Sequence, residues 1–589
     1  MDLRIYRASL VVAVLALVVV MFSLQERPRA LTAPIAPDAF RGDVAWSEGK
    51  RLADRFPDRR PGSVGDAALG DAVESRFKAL GLETSRDRFK AEWNGEDTSM
   101  SNVIGVLSAN SDRQVLVISH RDAGGRPGAS SAMGTAGLLE LAAALDGSSR
   151  QKTFVLVSTD GAAADSAGAR RLAEIYPNRS KVDAVLVLDD LAASPGRAPY
   201  VLPWSNDSHR GSAQVLRTVE SALAREADVL PGSESPAGQF VRQAWPLTLR
   251  EQGPLVAAGM DAVTLTGHGE LAPEPSADGL GRTSPDRLGN FGRSAFAAAL
   301  ALDSAPSVQK SPRRYIVTGS HIVPGWAFTL LALGLALPAL VTALDAFARA
   351  SRRRLHMGAW TRWVLAGSIP FAVTLLVAWL LELVDALPST ISEALSPSAG
   401  PGFGEVGIAL GALTATLVLG WRYLRPAVMG PDARRLESPG AAAEVALALL
   451  ISLEALAVCI TNSFTALLLV PAAHLCLLAA APRTPSRPLL IGATTIGGLA
   501  LPVLALLYYG VQLDLGLDPS AYALMVLTAA TGSFAGAILA ALVAGSFAST
   551  VAVALGREAP EPDAPITVRG PTSYAGPGSL GGTQSALRR

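Results

Sequence analysis

The side chains best suited to chemistry gather at the ends of three short apolar runs. His120 and Asp122 follow RQVLVISH at 113–120, Asp160 follows KTFVLVST at 152–159, and Asp189 and Asp190 close VDAVLVLDD at 182–190. An imidazole and several carboxylates are donors that zinc accepts, and they also take protons from a bound water. Ser130, Ser131 and Thr159 add hydroxyls, which with His120 and Asp122 would allow a serine nucleophile. That reading is the weaker one. No G-x-S-x-G elbow is present, and Ser at a helix start ordinarily caps the helix. The two cysteines, Cys459 and Cys476, both lie inside apolar runs, so the polar part of the chain has neither a thiolate zinc site nor a disulfide.

The elements that must position these residues alternate along the chain. Residues 65–80 have helical spacing, with Leu69, Val73, Phe77 and Leu80 on one side. Strands are expected at 101–109, 113–120, 152–159, 182–190 and 261–267, with helices at 133–146, 165–175, 211–225 and 290–304. Near-continuous apolar strands between helices imply an α/β sheet covered by helices on both faces. Ligands in such sheets sit beyond the C-terminal strand ends, where the polar residues fall. The segment with Trp204, Asn206, Asp207 and His209 reads as a surface loop.

NVIGVL at 102–107, VLVISHRDA at 115–123, GLLELAAAL at 137–145, FVLVSTDG at 154–161, SAGARRLAE at 166–174, VLVLDD at 185–190 and GMDAVTLTG at 259–267 form an ordered series. The series resembles the M28 zinc aminopeptidase family across about residues 40–305. The resemblance implies an aminopeptidase-like sheet and, in intact members, two zinc ions, a bridging carboxylate and a glutamate base. His120 matches the first zinc-ligand histidine, Asp122 the acidic residue that orients it, and Asp189 the aspartate ligand of the fourth strand. The other positions depart from the family. Ser130 and Ser131 stand where it has an Asp-Asn pair, and Ala162 and Ala163 where it has a Glu-Glu pair. Its last histidine falls near Asp278 and Gly279, with His268 earlier as a possible substitute. The expectation is a degenerate centre with no cofactor; a single weakly held zinc on His120 and Asp189 is the alternative.

Charged residues make up 17% of the chain, below the ~25% usual for soluble domains, because residues 325–556 are dominated by Leu, Ala, Val, Ile and Gly. The expected division is an N-terminal signal-anchor and linker at 1–34, an M28-like α/β domain at 35–308, a linker at 309–324, an all-α multi-span bundle at 325–556 and a disordered tail at 557–589. Spans are expected near 9–24, 325–347, 363–384, 406–423, 441–459, 464–481 and 488–509. The stretch 520–556 counts as one long or broken span, or alternatively two. Arg349, Arg352, Arg353, Arg354 and Arg362 mark one loop, Arg422, Arg425, Arg434 and Arg435 a second, and Arg483 and Arg487 a third; the alternate loops hold no Lys or Arg. That asymmetry puts the arginine loops and the tail in the cytoplasm and residues 25–320 outside it, in a multi-pass cell-membrane protein. Glu454 and His474, on neighbouring apolar segments, make a possible intramembrane site.

Formal net charge is zero and the polar half has no basic run, so no nucleic-acid partner is expected. The layout resembles the GPI transamidase subunit that carries an M28-like domain on a membrane bundle. The favoured expectation is a non-catalytic pseudopeptidase of the membrane that binds a peptide, a lipid-linked ligand or a partner membrane protein, in contact with membrane lipids. A metallopeptidase or amide-transfer enzyme with substitute ligands is one alternative, and a transporter component is another.

Overall fold

The computed structural model describes residues 3–32, 39–232, 234–273, 277–395, 403–434, 441–477 and 487–556. The tail at 557–589, Arg435 and Arg483 lie outside these residues. The strands, in chain order, are β1 (Gln25–Glu26), β2 (Glu83–Trp93), β3 (Glu96–Leu107), β4 (Ser111–His120), β5 (Lys152–Thr159), β6 (Val182–Asp189), β7 (Val201–Leu202), β8 (Ala262–Thr266), β9 (Tyr315–Thr318) and β10 (His321–Pro324).

Seven of them form one sheet in the order β2-β3-β5-β4-β6-β8-β7. The four central strands β5, β4, β6 and β8 run parallel, and β2, β3 and β7 add antiparallel edges. Every residue of β5, β6 and β8 is buried, which is why these strands read as unbroken apolar runs. Helices Gly42–Arg55, Val64–Ala79, Ala129–Asp146, Ala213–Glu226 and Pro285–Ser304 bury Leu69, Val73, Phe77, Leu138 and Phe296 in the larger core on one face. Helices Ala167–Ile175 and Gln252–Ala257 cover the other face with Leu172, Leu255 and Val256. Local signals fix the helix starts: Ser63, Ser212, Ser235 and Ser284 each accept a backbone N–H of the first turn, and Pro236 and Pro285 follow two of them.

Among the described residues, seven helices are long and apolar enough to cross a membrane, beginning with Arg4–Met21 near the N-terminus. Ser463–Leu477 and Pro519–Thr531 are shorter apolar helices. The stretch 520–556 is therefore broken: Gly532 ends one helix, and Ser533 caps the next, Phe534–Gly556, by accepting the N–H of Gly536 at 3.1 Å. The segment expected at 464–481 is described as helix only to Leu477, since 478–486 lie outside the described residues.

The two parts of the chain are joined by more than a linker. Helix Pro236–Ala244, which periodicity alone did not reveal, packs Phe240 against Phe464 and Phe328 of the bundle. Its last carbonyls are satisfied across the boundary: Asn462 Nδ2 donates to Gln243 O at 2.7 Å, and Thr465 and Tyr509 donate to the carbonyls of Ala244 and Trp245. The fully buried Arg242 guanidinium lies 5.2 Å from the Tyr509 ring and pairs with Glu234 and Glu270.

Candidate functional site

Beyond the C-terminal ends of β4 and β6 lies a cleft of about 130 Å³ lined by His120, Asp122, Ser130, Asp189, Asp190, Arg250 and Glu251, among others. His120 ends β4 and Asp189 ends β6, so the parallel pairing of these strands sets them side by side, with His120 Nε2 3.9 Å from Asp189 Oδ1. The second ring nitrogen, Nδ1, stands 3.8 Å from Oε2 of Glu251. Burial opposes a charged His120 ring, but Asp189, Glu251 and Asp122 outweigh it and raise its pKa.

Asp122 does not hydrogen-bond the imidazole. Its two oxygens accept the backbone N–H groups of Ala162 and Ala163 at 2.9 and 3.0 Å. The two alanines thus serve the carboxylate with their backbone and offer no side-chain donor of their own. Ser130 gives both its N–H and its hydroxyl to Asp278, at 2.8 and 2.7 Å, and the Ser131 hydroxyl donates to Gly128 O at 3.2 Å. Neither serine has the triad geometry of a nucleophile.

Asp160 is not part of the cleft. Its carboxylate lies 3.1 Å from the buried Arg121 guanidinium, which also pairs with Asp66 at 2.7 Å. Asp190 lines the cleft with a positive φ of 44°. Burial, with Asp189 and Asp278 nearby, pushes its carboxyl up to about 7. His268 hydrogen-bonds Leu271 O at 3.3 Å and lines an adjoining pocket, not the cleft itself. The segment expected as a surface loop is partly interior: Trp204 is buried, with the Arg210 guanidinium 4.4 Å from its ring.

Two residues of this site had no counterpart in the sequence reading. Arg250 and Glu251 sit at the end of the irregular segment that follows the bundle-docked helix, just before helix Gln252–Ala257. Arg250 Nη1 lies 2.7 Å from Asp189 Oδ2, and its Nη2 donates to Gly269 O at 3.2 Å. Glu251 Oε1 accepts a 2.6 Å hydrogen bond from Thr159, while Oε2 is buried without a hydrogen-bond partner. Burial pushes this carboxyl up to about 7, against the pull of His120 and the Thr159 hydroxyl. Leu395, from the short bundle helix Ile391–Leu395, completes the lining from the membrane side of the chain.

The family model of peptidase family M28 matches residues 102–239, the stretch that supplies His120, Asp122 and Asp189. The α/β domain is M28 peptidase-like. Solved structures similar to it include a glutaminyl cyclase from an Acidobacteriales bacterium, 20% identical, covering 47% of this chain and 99% of that one with a TM-score of 0.37. A zinc aminopeptidase from Bacillus subtilis is 13% identical and covers 47% and 95%, with a TM-score of 0.37. A Porphyromonas gingivalis glutaminyl cyclase is 17% identical and covers 44% and 98%, with a TM-score of 0.36. No curated protein matches the chain.

The M28-like frame does not carry the donor set of a two-zinc centre. Hydroxyls and methyls hold the places of the bridging and basic carboxylates, and the hydroxyls are already engaged. A guanidinium, which cannot ligate a metal, is paired with the remaining aspartate. Among the described residues, no group of three or more His, Cys, Asp or Glu side chains is arranged to hold a metal ion.

Glu454 and His474 are each engaged by other groups of the bundle. Glu454 accepts a 2.7 Å hydrogen bond from Ser546, whereas His474 bonds the Tyr6 hydroxyl and Leu335 O, each at 2.9 Å. Each of the two side chains links its own helix to others.

Proposed function

We propose that the chain is a membrane pseudopeptidase whose M28-like cleft binds a peptide, a lipid-linked ligand or a partner protein without hydrolysing it. The observation that carries this reading is the Arg250–Asp189 pair. In a working centre that aspartate would neutralise a metal ion; here a protein cation 2.7 Å away does so. Arg250 answers the charge of Asp189 from within the chain, while alanines stand where the family has its hydrolytic base.

The same geometry favours a ligand with a hydrogen-bond donor or a cationic group. Glu251 Oε2 lies buried 3.8 Å from His120 Nδ1 with its acceptor capacity unused, and a buried oxygen in that state rewards a donor. Leu395 from the bundle lines the same cleft, so a ligand held there rests between the α/β domain and the membrane helices. We read the arginine-bearing loops as cytoplasmic and the M28-like domain as extracytoplasmic, which makes the ligand one presented at the outer membrane surface.

The test is a pair of measurements on the full-length protein purified in detergent. Bound zinc is counted by elemental mass spectrometry, and turnover is followed on a panel of N-terminal amino-acid amides. Substoichiometric zinc and no turnover above an Arg250→Ala, His120→Ala control support the reading. One or more zinc ions per chain, lost together with turnover on replacing His120 or Asp189, would establish the metallopeptidase instead.

A further inference from the structure

Apart from the cleft, and sharing no residue with it, the bundle carries a groove of about 570 Å³. Gly358, Leu365, Ile369 and Ala372 line one wall, on the span Met357–Glu382; Ile538 and Leu542 line the other, on helix Phe534–Gly556. From Arg362 to Ala372 the wall is roughly 15 Å long at 1.5 Å per residue. Half of a ~30 Å hydrocarbon core is ~15 Å, so the groove is about one leaflet deep.

One end of this apolar trough is cationic. Arg362 lines it, is exposed, and makes neither an ion pair nor a hydrogen bond among the described residues. Arg425 stands one helical turn before Val428, another residue of the groove. It is only 8% exposed, and its guanidinium lies 4.5 Å from the Trp363 ring and 4.4 Å from the Trp421 ring. Its Nε and Nη2 are buried with no hydrogen-bond partner. Stacking on aromatic rings engages the faces of a guanidinium and leaves its N–H edge open. A buried cation with unused donors is costly unless an anion meets that edge. Phosphate oxygens match the guanidinium fork, and a hydrocarbon chain matches the trough that leads away from it.

We propose that this groove holds one anionic phospholipid, its phosphate on Arg362 and Arg425 and one acyl chain between Ala372 and Ile538. The site is independent of the M28-like cleft and of its chemistry.

The experiment uses the full-length protein in mild detergent, incubated with an equimolar mixture of dioleoyl phosphatidylglycerol and dioleoyl phosphatidylcholine and read by native mass spectrometry. One phosphatidylglycerol per chain is expected, retained about tenfold (about 1.4 kcal/mol) over phosphatidylcholine, because both lipids offer the phosphate but only phosphatidylcholine brings a quaternary ammonium against the two guanidiniums. Arg362→Gln and Arg425→Gln should each remove most of that preference. Ala372→Trp, on the exposed wall, should remove retention of both lipids with the arginines in place. Should Arg425→Gln not fold, Arg362→Gln and Ala372→Trp still decide the matter. Equal retention of the two lipids, unchanged retention in Arg362→Gln, or release of the lipid by excess inorganic phosphate would overturn the proposal.

Discussion

Thr159 donates to Oε1 of Glu251 at 2.6 Å, while Oε2 of the same carboxyl stands 3.8 Å from Nδ1 of His120. The hydroxyl thus anchors one oxygen of Glu251, while burial holds the carboxyl up at about 7, above its ordinary 4.5. A carboxyl raised on folding lends stability that is complete below the unfolded pKa and is lost as pH rises through the folded one. Raised His120 acts in the same direction, and Asp190, also at about 7, widens the effect. The protein should therefore lose stability between pH 5 and pH 8. Glu251→Gln keeps an acceptor for Thr159 and removes the titration, so its melting temperature should fall much less over that interval. A shift of this size corresponds to about 3 kcal/mol as an upper bound. Thermal unfolding of both proteins at several pH values checks it; parallel curves would mean that Glu251 does not titrate there.

Arg250 and Asp189 make a second, separable prediction. Removing the cation leaves a buried carboxylate uncompensated, which costs about 3–5 kcal/mol. Arg250→Ala should lower stability by that order, and Asp189→Asn should be milder. Their combination should be much less damaging than the sum, because the double variant has no orphaned charge. A double-mutant cycle by denaturant unfolding measures the coupling. Additive losses would show that the pair does not interact in solution.

The sheet was legible in the sequence and the floor of the cleft only in part. β5 and β6 announced themselves because both of their faces are buried. β2 did not: its polar, half-exposed residues look like a solvated run until it pairs with β3 at the sheet edge. His120 and Asp189 were identifiable because a strand end fixes where they lie. Asp160 occupies a comparable strand end, yet Arg121 takes its carboxylate away, and nothing in the spacing of Asp66, Arg121 and Asp160 reveals that triangle. Arg250 and Glu251 were invisible for a related reason. They lie on an irregular segment whose path is set by the docking of Pro236–Ala244 on the bundle, a contact between distant parts of the chain.

Glu454 offers a test of whether its carboxylate does more than link helices. Its hydrogen-bond partner is the hydroxyl of Ser546, which a neutral amide can equally accept. Glu454→Gln should keep the melting temperature within a few degrees, whereas Glu454→Leu strands the Ser546 hydroxyl and costs about 1–3 kcal/mol. The two variants are compared by thermal unfolding in the same detergent. A Gln variant as damaged as the Leu variant would show that the charge itself is needed, and would revive the transport reading for this part of the bundle.

Arg242 tests the attachment of the M28-like domain to the membrane helices. Its side chain is fully buried, donates from Nη1 to Leu247 O at 3.0 Å, and pairs with Glu234 and Glu270. Glu270 also lines the cleft, and Tyr509 of the bundle packs its ring over the same guanidinium. Arg242→Ala leaves two buried carboxylates facing each other without a cation, a loss of about 3–5 kcal/mol concentrated at the boundary between the two parts. Asn462→Ala removes one neutral hydrogen bond to Gln243 O and should cost about 1 kcal/mol. Because the segment 245–251 runs from this boundary to Arg250 and Glu251, the Arg242 variant should also loosen the cleft. Hydrogen exchange followed by mass spectrometry should show faster exchange across 236–251 in Arg242→Ala and little change there in Asn462→Ala. Acceleration confined to the bundle helices, with 245–251 still protected, would show that the cleft holds its shape without the membrane domain.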